Sequence, residues 1–212
     1  MKICIIDTET TRDQTVADFG AVIADLSTGE KLDEIGCLIY GQFDEVELWS
    51  DPRAKAGDFW SLQNNRARRK KYVQRIQNGQ RSIASENLIN VWLAKNCGRY
   101  PDLIVTAYNL AFDKPKCDNT GINLGLFSRE FCLLKATRQM LKDDLKFYEF
   151  CARQGALSEK TGKPSFTADN VARYFLGDAL DPEPHTALED ARDYELPIAK
   201  ALYSTNPNFW EV

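Results

Sequence analysis

The chain opens on Lys2-Ile-Cys-Ile-Ile-Asp7, a short apolar run rich in β-branched residues that continues straight into Thr8-Glu9. A run of this length and composition predicts a buried strand, which obliges the chain to build a sheet around it and to cover that sheet. The strand ends on two acids. Residues two apart on a strand project from the same face, roughly 6.5–7 Å apart, so Asp7 and Glu9 predict a pair of carboxylates that can hold one hard cation and share a second. The alternative is a polar strand end with no further role.

The rest of the sequence supplies neighbours for this strand. Phe19 to Asp25 and Lys31 to Tyr40 read as two more strands, joined through Leu26-Ser-Thr-Gly-Glu30 as a hairpin turn. Leu103 to Ala107 reads as a fourth. Helical patterning covers Trp60 to Gln80, then Ser82 (as N-cap) to about Lys95. It resumes over Leu124 to Leu141, with a short strand near Phe131 to Leu134, and over Leu145 to Gln154. Gln154 to Pro164 reads as a surface loop. Ser165 or Thr167 caps a helix to about Leu176, and a last helix starts near Thr186. Pro197 should kink or break it, because proline lacks an N–H and crowds the preceding turn. A hairpin followed by strand–helix alternation predicts an α/β fold with a mixed sheet.

The 212 residues are 43% apolar and 27% charged, which predicts one globular domain over 1–212 and excludes a collagen-like or mostly disordered chain. No apolar run is long enough for a membrane span, and an acid at position 7 precedes any signal-peptide core, so a cytoplasmic location without membrane association is expected. Six cysteines lack a Cys-x-x-Cys and accompany a single histidine. That predicts reduced thiols packing as small hydrophobes, and it argues against a structural zinc site.

Net charge is −4, from 31 acids and 27 bases, which argues against a simple nucleic-acid coat protein. The bases are unevenly spread. No acid occurs from Phe59 to Ser85, while Arg66, Arg68, Arg69, Lys70, Lys71, Arg75 and Arg81 do, leaving 20 bases against 31 acids elsewhere. Such a patch can steer a polyanion toward an otherwise repelling protein. The other reading is a solvated helix face with its cations exposed. Trp60 beside it is either a stacking platform for a single strand or a hydrophobic anchor.

Two further acids stand in informative places. Asp113 follows the fourth strand in Tyr108-Asn-Leu-Ala-Phe-Asp113, where it could be no more than a helix N-cap. Asp190 lies in the first turns of the last helix, five residues after His185, the only histidine in the chain. Were a fold to crowd four such acids together, they could not all ionise without cations between them. Oxygen ligands favour Mg²⁺ or Mn²⁺ over zinc, and a neutral imidazole is suited to taking a proton near neutral pH.

Taken in order, Asp7-x-Glu9, Asn109-x-x-Phe112-Asp113 and His185-x-Ala-Leu-x-Asp190-Ala resemble the three motifs of the DEDD exonucleases. The branch resembled is the histidine branch (DEDDh), the DnaQ-like 3′→5′ exonucleases that include RNase T and oligoribonuclease. In the sister branch a tyrosine stands four residues before the last aspartate, and that position here is Thr186. The resemblance implies an RNase H-like fold: a five-stranded mixed sheet, second strand antiparallel, helices on both faces. It implies that Asp7, Glu9, Asp113 and Asp190 bind two divalent cations, Mg²⁺ or Mn²⁺, and that His185 is the general base on a metal-bound water. The reaction implied is hydrolysis of the terminal phosphodiester of a nucleic acid with a free 3′ end, single-stranded DNA or RNA, releasing 5′-mononucleotides. DNA is favoured. The alternatives are an exoribonuclease and a non-catalytic nucleic-acid-binding or polymerase-associated module on the same fold, and a polymerase or a second copy of the chain is left open as partner.

Other positions follow from the resemblance. Thr10 and Thr11 fall where the family contacts the 3′-terminal nucleotide, and Asn109 and Phe112 where it shapes the pocket, although Phe112 could equally be core. Arg68, Arg69, Lys70 and Lys71 are expected to guide a single strand. The sequence also departs from the family pattern. Arg12 stands where many members have Gly, the stretch after Asp113 to Gly125 looks inserted, and a basic segment around 51–81 replaces a shorter loop.

Overall fold

The structure is a computed structural model that describes residues 1–43, 55 and 61–210. Its strands are β1 (Lys2–Thr10), β2 (Val16–Asp25), β3 (Glu30–Ile39), β4 (Ser82–Ala84), β5 (Ile104–Ala107) and β6 (Arg129–Cys132). They form one sheet in the order β4-β3-β2-β1-β5-β6. β2 runs antiparallel to both β1 and β3, while β1/β5, β5/β6 and β3/β4 are parallel. This is the mixed α/β sheet expected, with one strand more than the five implied.

The extra strand falls where Ser82 was expected to cap a helix. Ser82–Ala84 instead pairs with Cys37–Ile39 and covers the open side of β3, while Ser85 serves as N-cap and α2 (Glu86–Arg99) begins three residues later. Either serine fits the local capping preference; strand pairing with β3 decides between them. The expected helix over 124–141 is likewise divided. A 3-10 turn (Leu124–Leu126) leads into β6, and only α4 (Leu133–Leu141) is helical.

β1 is central because both its faces are apolar. Ile3 and Ile5 enter a cluster on one side with Leu133, Phe147, Val171, Leu202 and Trp210. Cys4 and Ile6 enter a second cluster on the other side with Ile89, Leu93, Cys117 and Leu124. The period of two along the strand thus feeds both layers. The first layer is built by α4, α5 (Leu145–Arg153), α6 (Ala168–Leu176) and α8 (Leu196–Thr205), the second by α2 and α3 (Leu110–Thr120). Of the two caps expected for α6 the structure uses Thr167, which accepts from the N–H of Asn170; Asp144 caps α5, accepting from the N–H groups of Lys146 and Phe147.

The basic segment forms α1 (Leu62–Gln77), N-capped by Ser61. The expectation of a uniformly solvated cationic face fails in part: Arg66, Lys70 and Lys71 are exposed, but Arg68 and Arg81 are buried beside acids. Trp60 and most of 51–60 lie outside the described residues. All six cysteines are free thiols, four of them buried. Among the described residues no helix is long and apolar enough to cross a membrane.

Two paired glycines decide how closely the last motif approaches the sheet. Gly20 sits opposite Asp7 on β2 and opposite Gly36 on β3. A Cβ at Gly20 would lie 2.2 Å from the Ala187 carbonyl carbon and from Leu188 N, at the start of α7 (Ala187–Asp190). A Cβ at Gly36 would meet Leu188 and the Arg81 guanidinium. The absent side chains let the α7 backbone rest on the sheet. Gly20→Ala is expected to cost at least about 2 kcal/mol in a urea titration, since the clash is with backbone that cannot rotate away. It should also displace Asp190 from β1 and weaken Mn²⁺ binding.

Candidate active site

The carboxyl ends of the parallel pair β1 and β5, where Asp7, Glu9 and Asn109 emerge, open into a cavity of about 390 Å³. β1 delivers Asp7 and Glu9. The chain leaving β5 turns at Asn109 into α3, whose buried positions Leu110, Asp113 and Cys117 share one face, so Asp113 is aimed inward from the first turn. It is not an N-cap; that position is Asn109. The Thr8 hydroxyl donates to Asp113 Oδ1 at 2.7 Å and ties α3 to β1. The loop before α7 supplies His185, held at φ +54°, and α7 supplies Asp190. Asp7, Glu9, Asp113, His185 and Asp190, spread over 184 positions of sequence, therefore line one cavity.

Ligand atoms of Glu9, His185 and Asp190 all lie within 4.8 Å of one another. Asp190 Oδ2 accepts the Thr186 N–H at 2.7 Å, which closes the first turn of α7, while Asp190 Oδ1 is buried without a partner. Two acids that sequence reasoning missed also line the cavity: Glu183, from the Asp-Pro-Glu-Pro loop, and Glu195. Glu195 is 2% exposed; the backbone N–H of Tyr108 faces its carboxyl, and Oε2 has no partner. Glu183 had no signal in spacing. Glu195 had an indirect one in the nearby Pro197.

The charges are strained. Burial pushes Glu9 up to about 8, against the pull of the Arg68 guanidinium, whose Nη1 lies 3.5 Å from Oε2. Burial raises Asp113 to about 7, opposed by the Thr8 hydroxyl, and raises Asp190 to about 10, with Glu183 and Glu9 adding to it. Asp7 is held well above the usual carboxylate range by burial and then by Glu195, Asp190, Asp113 and Glu9. Glu183 rises to about 7. His185 shifts the other way: burial, then Arg68 and Lys71, lowers its pKa and favours neutral imidazole. Acids with two orphaned buried oxygens, beside one imidazole, fit a divalent cation.

A buried network fixes the loop that carries His185. Asp18 on β2 accepts from the Tyr72 hydroxyl (2.9 Å) and from the Ala187 N–H (3.0 Å), and pairs with Arg81 Nε at 3.4 Å. Glu189 accepts from Thr186 Oγ1 at 2.8 Å and from Arg75 Nη1 at 3.0 Å, and also pairs with Arg81. Three of the sequence's basic residues are thus bound up with acids near the site.

The expected substrate positions divide. Thr10 lines the cavity and so does Asn109, whose side chain is exposed. Phe112 is 42% exposed and lines the cavity with Lys116 Nζ 3.9 Å from its ring centroid, so it is not core. Thr11 is absent from the lining; its hydroxyl pairs with that of Thr15 at 2.7 Å. Lys70 and Lys71 are exposed on α1, and Arg69 stacks near Phe43.

The six-stranded mixed sheet with helices on both faces is consistent with an α/β RNase H-like fold. No family model matches the chain, and no curated protein matches its sequence. Among solved structures it is similar to exonuclease I of E. coli in complex with a 5cy-dT13 oligonucleotide (TM-score 0.54, 16% identity) and to exonuclease I of Methylocaldum szegediense (0.59, 14%). Each covers 99% of this chain, while the chain spans 42% of either exonuclease I. It is also similar to the nuclease domain of 3′hExo, a DEDDh family member, bound to rAMP (0.53, 14%), covering 97% of this chain and 92% of that one. At these identities the likeness is one of fold.

Proposed function

We propose that the protein is a metal-dependent 3′→5′ exonuclease that hydrolyses terminal phosphodiesters of nucleic acid to 5′-mononucleotides. The observation that carries this reading is the convergence of Asp7, Glu9, Asp113, Asp190 and the sole histidine on one cavity, in a fold shared with exonucleases. Asp7, Glu9, Asp113 and Asp190 would hold two divalent cations, which when bound supply Lewis-acid stabilisation of the attacking and leaving oxygens. His185, kept neutral by burial and the neighbouring Arg68, accepts the proton of the attacking water. Its left-handed backbone and the Asp18–Arg81–Glu189 network at Thr186 and Ala187 support the loop that brings His185 to the cavity. Asn109, Phe112 and Thr10, which line the cavity, would contact the terminal nucleotide. In this reading the exposed Lys70 and Lys71 of α1, and Arg69 beside them, would guide a single strand toward the site by charge. Thr11 is in a supporting position, its hydroxyl against that of Thr15, and Arg68 pairs with Glu9. Six thiols fit a reducing compartment such as the cytoplasm.

DNA is the substrate we favour, because the exonuclease I structures are matched at the higher TM-scores and one holds a DNA oligonucleotide. The exoribonuclease reading is favoured by the 3′hExo domain, which holds rAMP. The test offers 5′-labelled single-stranded DNA and RNA of one sequence with Mg²⁺. A ladder shortening from the 3′ end with release of 5′-mononucleotides is expected, faster on DNA. Faster RNA cleavage would move the substrate to RNA, and binding without cleavage would leave a non-catalytic module.

A further inference from the structure

Between Asp190 and α8 the chain does not continue as a regular α-helix. Ala191–Glu195 is a π turn, and the Leu196 N–H reaches back five residues to the Ala191 carbonyl. Pro197 gives the physical reason: it has no N–H for the Asp193 carbonyl and its ring crowds that carbonyl, so the wider turn relieves the clash. The consequence falls on Glu195. In an α-helix a residue five positions after Asp190 would point about 140° away from it. In the π turn, position five returns close to the face of position zero. Glu195 thereby comes to line the same cavity as Asp7, Asp113 and Asp190, fully enclosed, with Oε2 partnerless.

We propose that Glu195 is a fifth carboxylate ligand of the metal centre, a ligand created by the π turn at Pro197. The proposal rests on the exonuclease reading of the site. A buried carboxylate oxygen without a donor is costly, and the remedy that the cavity provides is a cation shared with Asp7 and Asp113. Asp18, whose Oδ1 also lacks a hydrogen-bond donor, has the Arg81 guanidinium 3.4 Å from that oxygen to balance its charge, whereas no cationic side chain is paired with Glu195 among the described residues.

Calorimetric titration of the metal-free protein with Mn²⁺, followed by electron paramagnetic resonance of the bound ion, tests this directly. Glu195→Gln keeps the shape and is expected to weaken Mn²⁺ binding at least about tenfold and to alter the signal of the bound ion. Mn²⁺ affinity equal to or tighter than that of the unaltered protein would overturn the proposal, even with a changed Tm. Asp7→Asn is titrated alongside. If it loses Mn²⁺ binding while Glu195→Gln does not, only the fifth ligand fails; if neither changes, the metal reading of the whole site fails as well. Should Glu195→Gln not fold, Glu195→Asp, which keeps the charge but withdraws it by one methylene, decides by the same criterion.

Discussion

Asp7→Asn is expected to lower the rate of 3′-nucleotide release by about 10³-fold while raising the thermal stability of the metal-free protein. The first effect follows from its place in the cavity, where the charges of Glu195, Asp190, Asp113 and Glu9 all act on it. A cation supplies several kcal/mol of charge stabilisation in a displacement at phosphorus, and about 4 kcal/mol is a thousandfold in rate. The second effect comes from the cost of burying Asp7 among four other carboxyls, which an amide of the same shape avoids. Both are read from one preparation, by product release with Mg²⁺ and by thermal denaturation in EDTA. A residue that only supports the fold would lower stability when replaced.

Removing the metal should make stability depend steeply on pH. In the metal-free fold Glu9 titrates near 8, Asp113 near 7 and Asp190 near 10, whereas free carboxyls titrate near 4. Raised values mean that between about pH 4 and 7 the folded protein keeps protons that the unfolded chain has released. Stability therefore falls as pH rises through that window, and Asp190 extends the fall beyond it. Each retained proton gives a slope of about 1.4 kcal/mol per pH unit, so a single one kept from pH 6 to pH 8 should already lower Tm in EDTA by roughly 5–10 °C. Mn²⁺ at a hundred times its Kd adds about 2.7 kcal/mol, and it adds most at the higher pH, where fewer protons compete. The slope should flatten with metal. A Tm that rises with pH in EDTA, or one indifferent to Mn²⁺, would show that these acids are neither crowded nor ligands.

What the sequence made legible was whatever periodicity and motif order express locally. The Ile3–Ile6 run places β1 at the centre because each face feeds a core layer, and the order of the three motifs brings five polar residues to one cavity. Partner choice was not legible. Ser82 became a strand because β3 had an open side, and Arg68 and Arg81 went inward because Glu9, Asp18 and Glu189 were waiting there, which no window of sequence contains. Glu195 was hidden for a different reason: helical spacing put it on the wrong face. The proline that was expected to disturb the last helix did so one turn earlier than the residue itself, and in a way that turned an acid inward. Gly20 carried no motif, yet it sets how near α7 comes to β1.

The most direct test of the account is a crystal of the protein grown with Mn²⁺ and a nucleoside 5′-monophosphate, measured at a wavelength where manganese scatters anomalously. Two anomalous peaks are predicted among Asp7, Glu9, Asp113 and Asp190, with the nucleotide phosphate against them and the His185 ring facing the phosphate. A cavity without manganese while the nucleotide is bound elsewhere, or a metal held by none of these four residues, would contradict it.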